Sequence, residues 1–187
     1  MTRTSDPGWR LDADGWLSGV SHLASPNFDA RPPHTDACLV VVHSISLPPG
    51  RFTGDAVTDF FTNRLDPAGH EYFRSIAHQR VSAHFFIRRD GQVIQLVSCS
   101  ARAWHAGVSC WRGRERCNDF SIGIELEGDD FSEYEGPQYR ALGALIDLLQ
   151  RHYPITAVIG HADIAPGRKT DPGPYFDWSC IPNALRG

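Results

Sequence analysis

No stretch of this chain is apolar for long enough to cross a bilayer. The most hydrophobic run, Cys38 to Val42, falls far short of the roughly 20 residues a membrane-spanning helix needs. The opening MTRTSDPGWRLDADGWLSGV also lacks the apolar core of about 7 to 15 residues that a secretory signal carries. Both absences predict a cytoplasmic protein with no membrane partner. A basic excess is missing too: 18 Lys and Arg face 22 Asp and Glu, a net charge of −4, so the electrostatic footprint of a nucleic-acid binder is absent. Cysteines are few. The five, Cys38, Cys99, Cys110, Cys117 and Cys180, are odd in number and form no C-x-x-C spacing, which argues against a zinc ribbon or a dithiol redox motif and predicts free thiols in a reducing compartment. Internal repeats, low-complexity tracts and linkers are absent as well.

What is present fits one α/β domain spanning residues 1–187. The chain is 41% hydrophobic and 21% charged, enough to bury a sizeable core. Asp-Pro-Gly, Ser-Pro-Asn and Arg-Pro-Pro punctuate residues 1–36 and predict an irregular N-terminal arm packed on the domain. Cys38 to His43 is apolar on both faces and β-branched at three positions, the pattern of a central strand covered on both sides. Val57, Phe60, Phe61 and Leu65 give a helix-like spacing over 55–65. Asp90-Gly91 between two β-type runs, 81–88 and 92–97, predicts an antiparallel hairpin. Residues 99–118 show no clear period and read as a long loop, and 120–127 resumes alternation. Tyr139, Leu142, Leu145, Ile146 and Leu149 form an apolar helical stripe after Pro137. Ala157 to Gly160 is a short buried strand, followed by a proline-stiffened loop. Strands interleaved with helices predict a central mixed β-sheet flanked by helices.

Nine histidines stand out among the 187 residues, since imidazole is both a common metal ligand and a neutral-pH proton carrier. His43 and His161 each end an apolar strand, and Asp171 lies ten residues beyond His161. Two imidazoles and one carboxylate can hold a metal and leave a position for water, as in catalytic zinc sites. Non-haem iron uses the same ligand types. The plainer alternative is that His43 merely ends a strand while His161 bonds a loop carbonyl. Glu125 shares a strand face with Gly123, whose missing side chain would let a ligand approach the sheet. It is a candidate general base, or else a solvated strand residue like Glu127 two positions on. Lys169, two residues before Asp171, could place an ammonium beside the metal, or be an exposed loop lysine.

Several segments, VVHSISLPPG at 41–50, RVSAHFFIRRDG at 80–91, AWHAGVS at 103–109, GRERCNDFSIGIELEG at 113–128 and GHADIAPGRKTDPGP at 160–174, carry a resemblance. Taken in order, they resemble the zinc N-acetylmuramoyl-L-alanine amidases, and within them the cytoplasmic 1,6-anhydro-N-acetylmuramyl-L-alanine amidases of Gram-negative bacteria. The resemblance covers nearly the whole chain. It implies the fold shared with peptidoglycan recognition proteins and one Zn²⁺ per chain held by His43, His161 and Asp171. Glu125, the first glutamate of SIGIELEG, matches the family's catalytic acid, and Lys169 matches the lysine of GRKTD. The implied reaction cleaves the amide between the lactyl group of anhydro-muramic acid and L-alanine in cell-wall fragments, releasing peptide for recycling. Ser44 departs from the pattern: the resemblance leads us to expect Asn after the first ligand, and Ser keeps one donor on a shorter arm.

Substrate contacts follow from residue chemistry. Trp104 could stack on sugar or pack in the core, and Arg80 and Arg116 could grip carboxylates with two parallel bonds or form ordinary surface ion pairs. Tyr72 resembles a family tyrosine near the cleft. The expected partner is a small muropeptide met by a monomer. Rival functions are a non-catalytic muropeptide-binding module, disfavoured because all five functional residues are present, and a phage or exported lytic amidase acting on intact wall.

Overall fold

The computed structural model describes residues 7–181, so the first six residues of the expected arm and the last six of the chain lie outside it. A six-stranded sheet forms the centre. Its strands are β1 (Ser21–His22), β2 (Leu39–Ile45), β3 (Phe85–Ile87), β4 (Val93–Gln95), β5 (Ser121–Glu127) and β6 (Ala157–Gly160). The spatial order is β6-β2-β5-β3-β4-β1. Strands β6, β2, β5 and β3 run parallel, while β3 and β4 form the expected antiparallel pair, with β1 parallel to β4 at the edge. The hairpin turns at Gly91, whose φ of +87° favours glycine and whose Cβ, if present, would press on the Pro137 backbone.

Each face of the sheet is covered separately, which is why β2 is apolar on both sides up to Val42, while β5 turns Ile122, Ile124 and Leu126 to one face and Ser121, Gly123, Glu125 and Glu127 to the other. Helix α3 (Gly136–His152) lays Leu142, Leu145, Ile146 and Leu149 over Val40, Val42, Ile122, Ile124 and Val158. It starts at a capping box formed by Glu135 and Gln138. On the opposite face, helices α1 (Ala56–Phe61) and α2 (Glu71–Ile76) pack Phe60, Phe61, Phe73 and Ile76 against Phe86 and Ile94. Beside β6, Leu39, Val41 and Ile159 meet Cys117, Phe120 and Ile164. Ile164 belongs to the single helical turn α4 (His161–Ile164). Because side chains alternate along a strand, His43 follows Val41 onto this second face, away from α3. The crevice beyond the carboxyl ends of parallel strands, where open α/β sheets bind ligands, therefore opens between these two apolar clusters.

The structure departs from the sequence reading at short elements. The described part of the arm is not wholly irregular: besides β1 it contains the pair Arg10–Leu11 with Leu17–Ser18, and Phe28–Ala30 pairs with Ala101–Ala103. Within 99–118 a second small hairpin joins Cys110–Trp111 to Arg114–Glu115. These strands are two or three residues long and two pairings join distant segments, so no local period reveals them. Helix α1 is shorter than the expected 55–65 span, and α2 is an added element. Each of the five cysteines is a free thiol. Among the described residues no helix is long and apolar enough to cross a membrane.

Candidate metal and active site

His43, His161 and the loop aspartate Asp171 meet. His43 Nδ1 lies 2.9 Å from His161 Nδ1 and 3.2 Å from Asp171 Oδ2, and His161 Nδ1 lies 3.0 Å from the same oxygen. Register brings them there: Gly160, at the end of β6, pairs with Val42 of β2, so His161 just beyond β6 and His43, which stands within β2 and does not end it as expected, lie at one level. Asp171 is returned to that level by the proline-stiffened loop, whose backbone is tied by Ala162 N–H donating to the Asp171 carbonyl. Tyr134 donates to the next carbonyl, Pro172 O, at 2.7 Å.

The outer partners decide which ring nitrogens carry protons. His161 Nε2 faces the Ala106 carbonyl at 3.1 Å. A carbonyl only accepts, so this nitrogen is the N–H, and in the neutral ring the lone pair stands on Nδ1. His43 Nε2 faces His105 Nδ1 at 2.9 Å, and His105 Nε2 faces Ser121 Oγ at 3.1 Å. Burial holds His43 and His105 neutral, with the His43 pKa pushed down to about 4 and that of His105 well below the usual histidine range. Two lone pairs and a carboxylate oxygen thus converge within 4.8 Å of one another. Such a set is mutually repulsive unless a cation lies among them. Tetrahedral zinc with bonds of about 2.0–2.2 Å sets its ligand atoms about 3.3 Å apart, close to the spacing found. The donors therefore fit a divalent metal, and their chemistry fits zinc.

Glu125 is the neighbour of His43 across the β5–β2 pairing. Its side chain is buried, its Oε2 has no hydrogen-bond partner, and it lines the cleft. Burial, reinforced by the Asp171 charge, raises its pKa well above the usual glutamate value, with Lys169 pulling the other way. Glu127 is also buried rather than solvated. Its carboxylate is spent on the fold, accepting from the Arg89 backbone N–H at 3.0 Å. Lys169 is exposed at the mouth of the cleft. The cleft has a volume of about 610 Å³, and Ser44, Tyr72 and Trp104 line it together with the exposed Phe131. The Ser44 side chain lies close to the Tyr134 hydroxyl.

Arg80 and Arg116 are not brought to this cleft. Arg80 donates to the carbonyls of Ala77 and Gln79 beyond the end of α2, and Arg116 pairs with Asp119 at 3.3 Å. Gly123 is open for a reason other than the one expected: a Cβ there would run into the His105 ring, so a side chain of the protein and not a ligand takes the space. Residues that sequence reasoning passed over are His105, Ser121 and Arg168. The last donates to the carbonyls of Ala106 at 2.8 Å and Val108 at 2.6 Å, pinning the loop over the metal group. The only signal for His105 in the sequence is its place in AWHAGVS.

The fold and this site define an amide hydrolase, and the chain belongs to the N-acetylmuramoyl-L-alanine amidase family, whose sequence model matches residues 33–174. It is 54% identical over 168 residues, 89% of this chain and 90% of the relative, to the 1,6-anhydro-N-acetylmuramyl-L-alanine amidase AmpD of Citrobacter freundii. A crystal structure of a selenomethionine AmpD derivative superposes with a TM-score of 0.90 at 52% identity, covering 95% of this chain and 99% of that one. AmpDh3 from Pseudomonas aeruginosa, solved in complex with anhydromuramic pentapeptide, matches at 32% identity and a TM-score of 0.57, covering 88% of this chain and 66% of that one.

Proposed function

We propose that this chain works in the cytoplasm as a monomer, binding one zinc ion through His43, His161 and Asp171. Its reaction is hydrolysis of the amide between the lactyl group of 1,6-anhydro-N-acetylmuramic acid and L-alanine, in muropeptide fragments recycled from the cell wall. The observation that carries the zinc assignment is the convergence of the Nδ1 atoms of His43 and His161 on the Asp171 carboxylate. Bound there, zinc supplies a Lewis acid that polarises a carbonyl and lowers the pKa of water toward about 7.

The remaining work belongs to the chain. Glu125, which lines the cleft with a raised pKa and an unpartnered carboxyl oxygen, takes the proton of the attacking water and delivers it to the departing amine of L-alanine. The carbonyl carbon gains a C–O bond and loses its C–N bond, leaving a lactyl carboxylate and a free peptide amine. Lys169 brings fixed positive charge to the mouth of the cleft, where it stabilises the oxyanion of the tetrahedral state. Trp104 and Tyr72 offer aromatic surface to sugar or peptide, and Ser44 offers a hydroxyl. Arg80 and Arg116, engaged on the protein itself, reach a substrate carboxylate only after leaving their present partners.

Support for the substrate comes from the high identity to AmpD along nearly its full length. The test is a side-by-side assay of purified protein on anhydro-muropeptide and on intact sacculi. Release of peptide from the small fragment, with little from sacculi, is expected. The reverse preference favours a lytic amidase of intact wall.

A further inference from the structure

Both imidazoles of the metal group are oriented by one dipeptide, His105–Ala106. The Ala106 carbonyl accepts from His161 Nε2, and the His105 side chain faces His43 Nε2. Asn118 fixes this dipeptide by accepting from both of its backbone N–H groups, at 3.1 Å from His105 and 2.8 Å from Ala106. The direction of the His43 bond is set further out. Ser121 donates its only hydroxyl proton to the Cys117 carbonyl at 2.6 Å, so its oxygen can only accept from His105 Nε2. That makes His105 Nε2 the N–H and His105 Nδ1 the lone pair. His43 Nε2 must then be the donor, which leaves His43 Nδ1 bare and aimed at Asp171 and His161. Gly123 completes the device by leaving room for the His105 ring against β5.

We propose that His105 is a positioning residue for the metal: through the relay Cys117–Ser121–His105 it locks His43 in the tautomer and ring orientation that binding at Nδ1 requires. This inference rests on the reading of His43, His161 and Asp171 as a zinc site. An imidazole ligand held through its second nitrogen binds metal more tightly, and loss of such an outer partner typically costs 10- to 100-fold in affinity. A histidine as the outer partner carries an added condition. Unlike a carbonyl or a carboxylate, neutral imidazole accepts at only one nitrogen, so it serves only while its own tautomer is fixed, and that is the role of Ser121.

The test compares wild type with His105→Phe, which fills the same seat without an acceptor, and with Ser121→Ala, which leaves the His105 ring but frees its tautomer. Zinc dissociation constants are measured by competition with a chelating dye, and the His43 tautomer by ¹⁵N NMR of the metal-free proteins. Zinc affinity is expected to fall about 10- to 100-fold in His105→Phe and by a smaller factor in Ser121→Ala. The His43 signal should change from a single Nε2–H form to a mixture. Should His105→Phe fail to fold, Ser121→Ala alone still decides through the tautomer signal. Unchanged zinc affinity and an unchanged His43 tautomer in the folded variants overturn the inference while sparing the zinc site. Absence of zinc binding by wild type overturns the site itself.

Discussion

Glu125 and Glu127 lie two positions apart on β5, on the same face, with only 8% and 4% of their surface exposed. Their surroundings predict opposite responses to the same change. Glu125 lines the cleft and its buried Oε2 has no partner, so Glu125→Gln removes the proton shuttle and disturbs no bond of the fold. A loss of about 10² to 10⁴ in kcat follows, which is about 2.7–5.4 kcal/mol on the barrier, with zinc content and melting temperature close to wild type. Glu127 instead accepts from the Arg89 backbone N–H, while its main-chain carbonyl accepts from Gln138 Nε2 at 3.0 Å. Glu127→Gln keeps an acceptor but removes the charge that strengthens the Arg89 bond, a loss of about 1 kcal/mol. For a domain of this size that lowers Tm by about 2–4 °C, with kcat within about twofold of wild type. Steady-state hydrolysis of anhydro-muropeptide, thermal melting and metal analysis on both variants give the comparison. If Glu127→Gln abolishes turnover and Glu125→Gln does not, the wrong carboxylate has been assigned and the proton path proposed here is refuted.

Lys169→Ala should retain zinc and lose about 10² to 10³ in kcat, the cost of one oxyanion-stabilising group; a variant with full kcat would remove Lys169 from the mechanism. His161→Ala should lose the metal, because His43 and Asp171 alone hold zinc poorly, and equilibrium dialysis against zinc checks it. His84 is fully buried, accepts from the Gly123 N–H at 3.0 Å, and has its pKa pushed down to about 3 by burial and then by the Arg31 charge. Unfolded histidine titrates near 6.5, so between these values the unfolded chain binds the extra proton. The stabilisation is complete above about pH 6.5 and is lost as pH falls toward 3, about 2 kcal/mol of it by pH 5. Urea unfolding at pH 7.5 and pH 5 should show this loss reduced by about that amount in His84→Gln; an undiminished loss would show that His84 is not held neutral.

The elements legible in the sequence are those whose signal is local. β2 and β5 are long apolar or alternating runs, and α3 repeats its stripe over about three turns, so period alone identifies them. His43 and His161 were legible because each follows directly on an apolar run, and Asp171 because prolines stiffen the loop that carries it. The rest depends on contacts between distant segments. His105 meets His43 across 62 positions and Ser121 across 16, and nothing in the spacing of AWHAGVS announces either contact. Gly123 signals a close approach correctly, yet the approaching group is the His105 ring. Glu127 carries a charge that suggests solvent, but an Arg89 N–H and the covering chain around it make burial tolerable. Arginines are the least legible: Arg80 and Arg116 have the right chemistry for a carboxylate ligand and are occupied by nearby carbonyls or by Asp119.

The central claim is that His43, His161 and Asp171 hold the zinc on which hydrolysis depends. It is tested most directly by measuring metal content and anhydro-muropeptide hydrolysis on the same untreated protein, again after chelation, and again after zinc is restored. About one zinc per chain, activity abolished by the chelator and recovered with zinc, is the expected result. Iron at full occupancy, or hydrolysis indifferent to chelation, would contradict it.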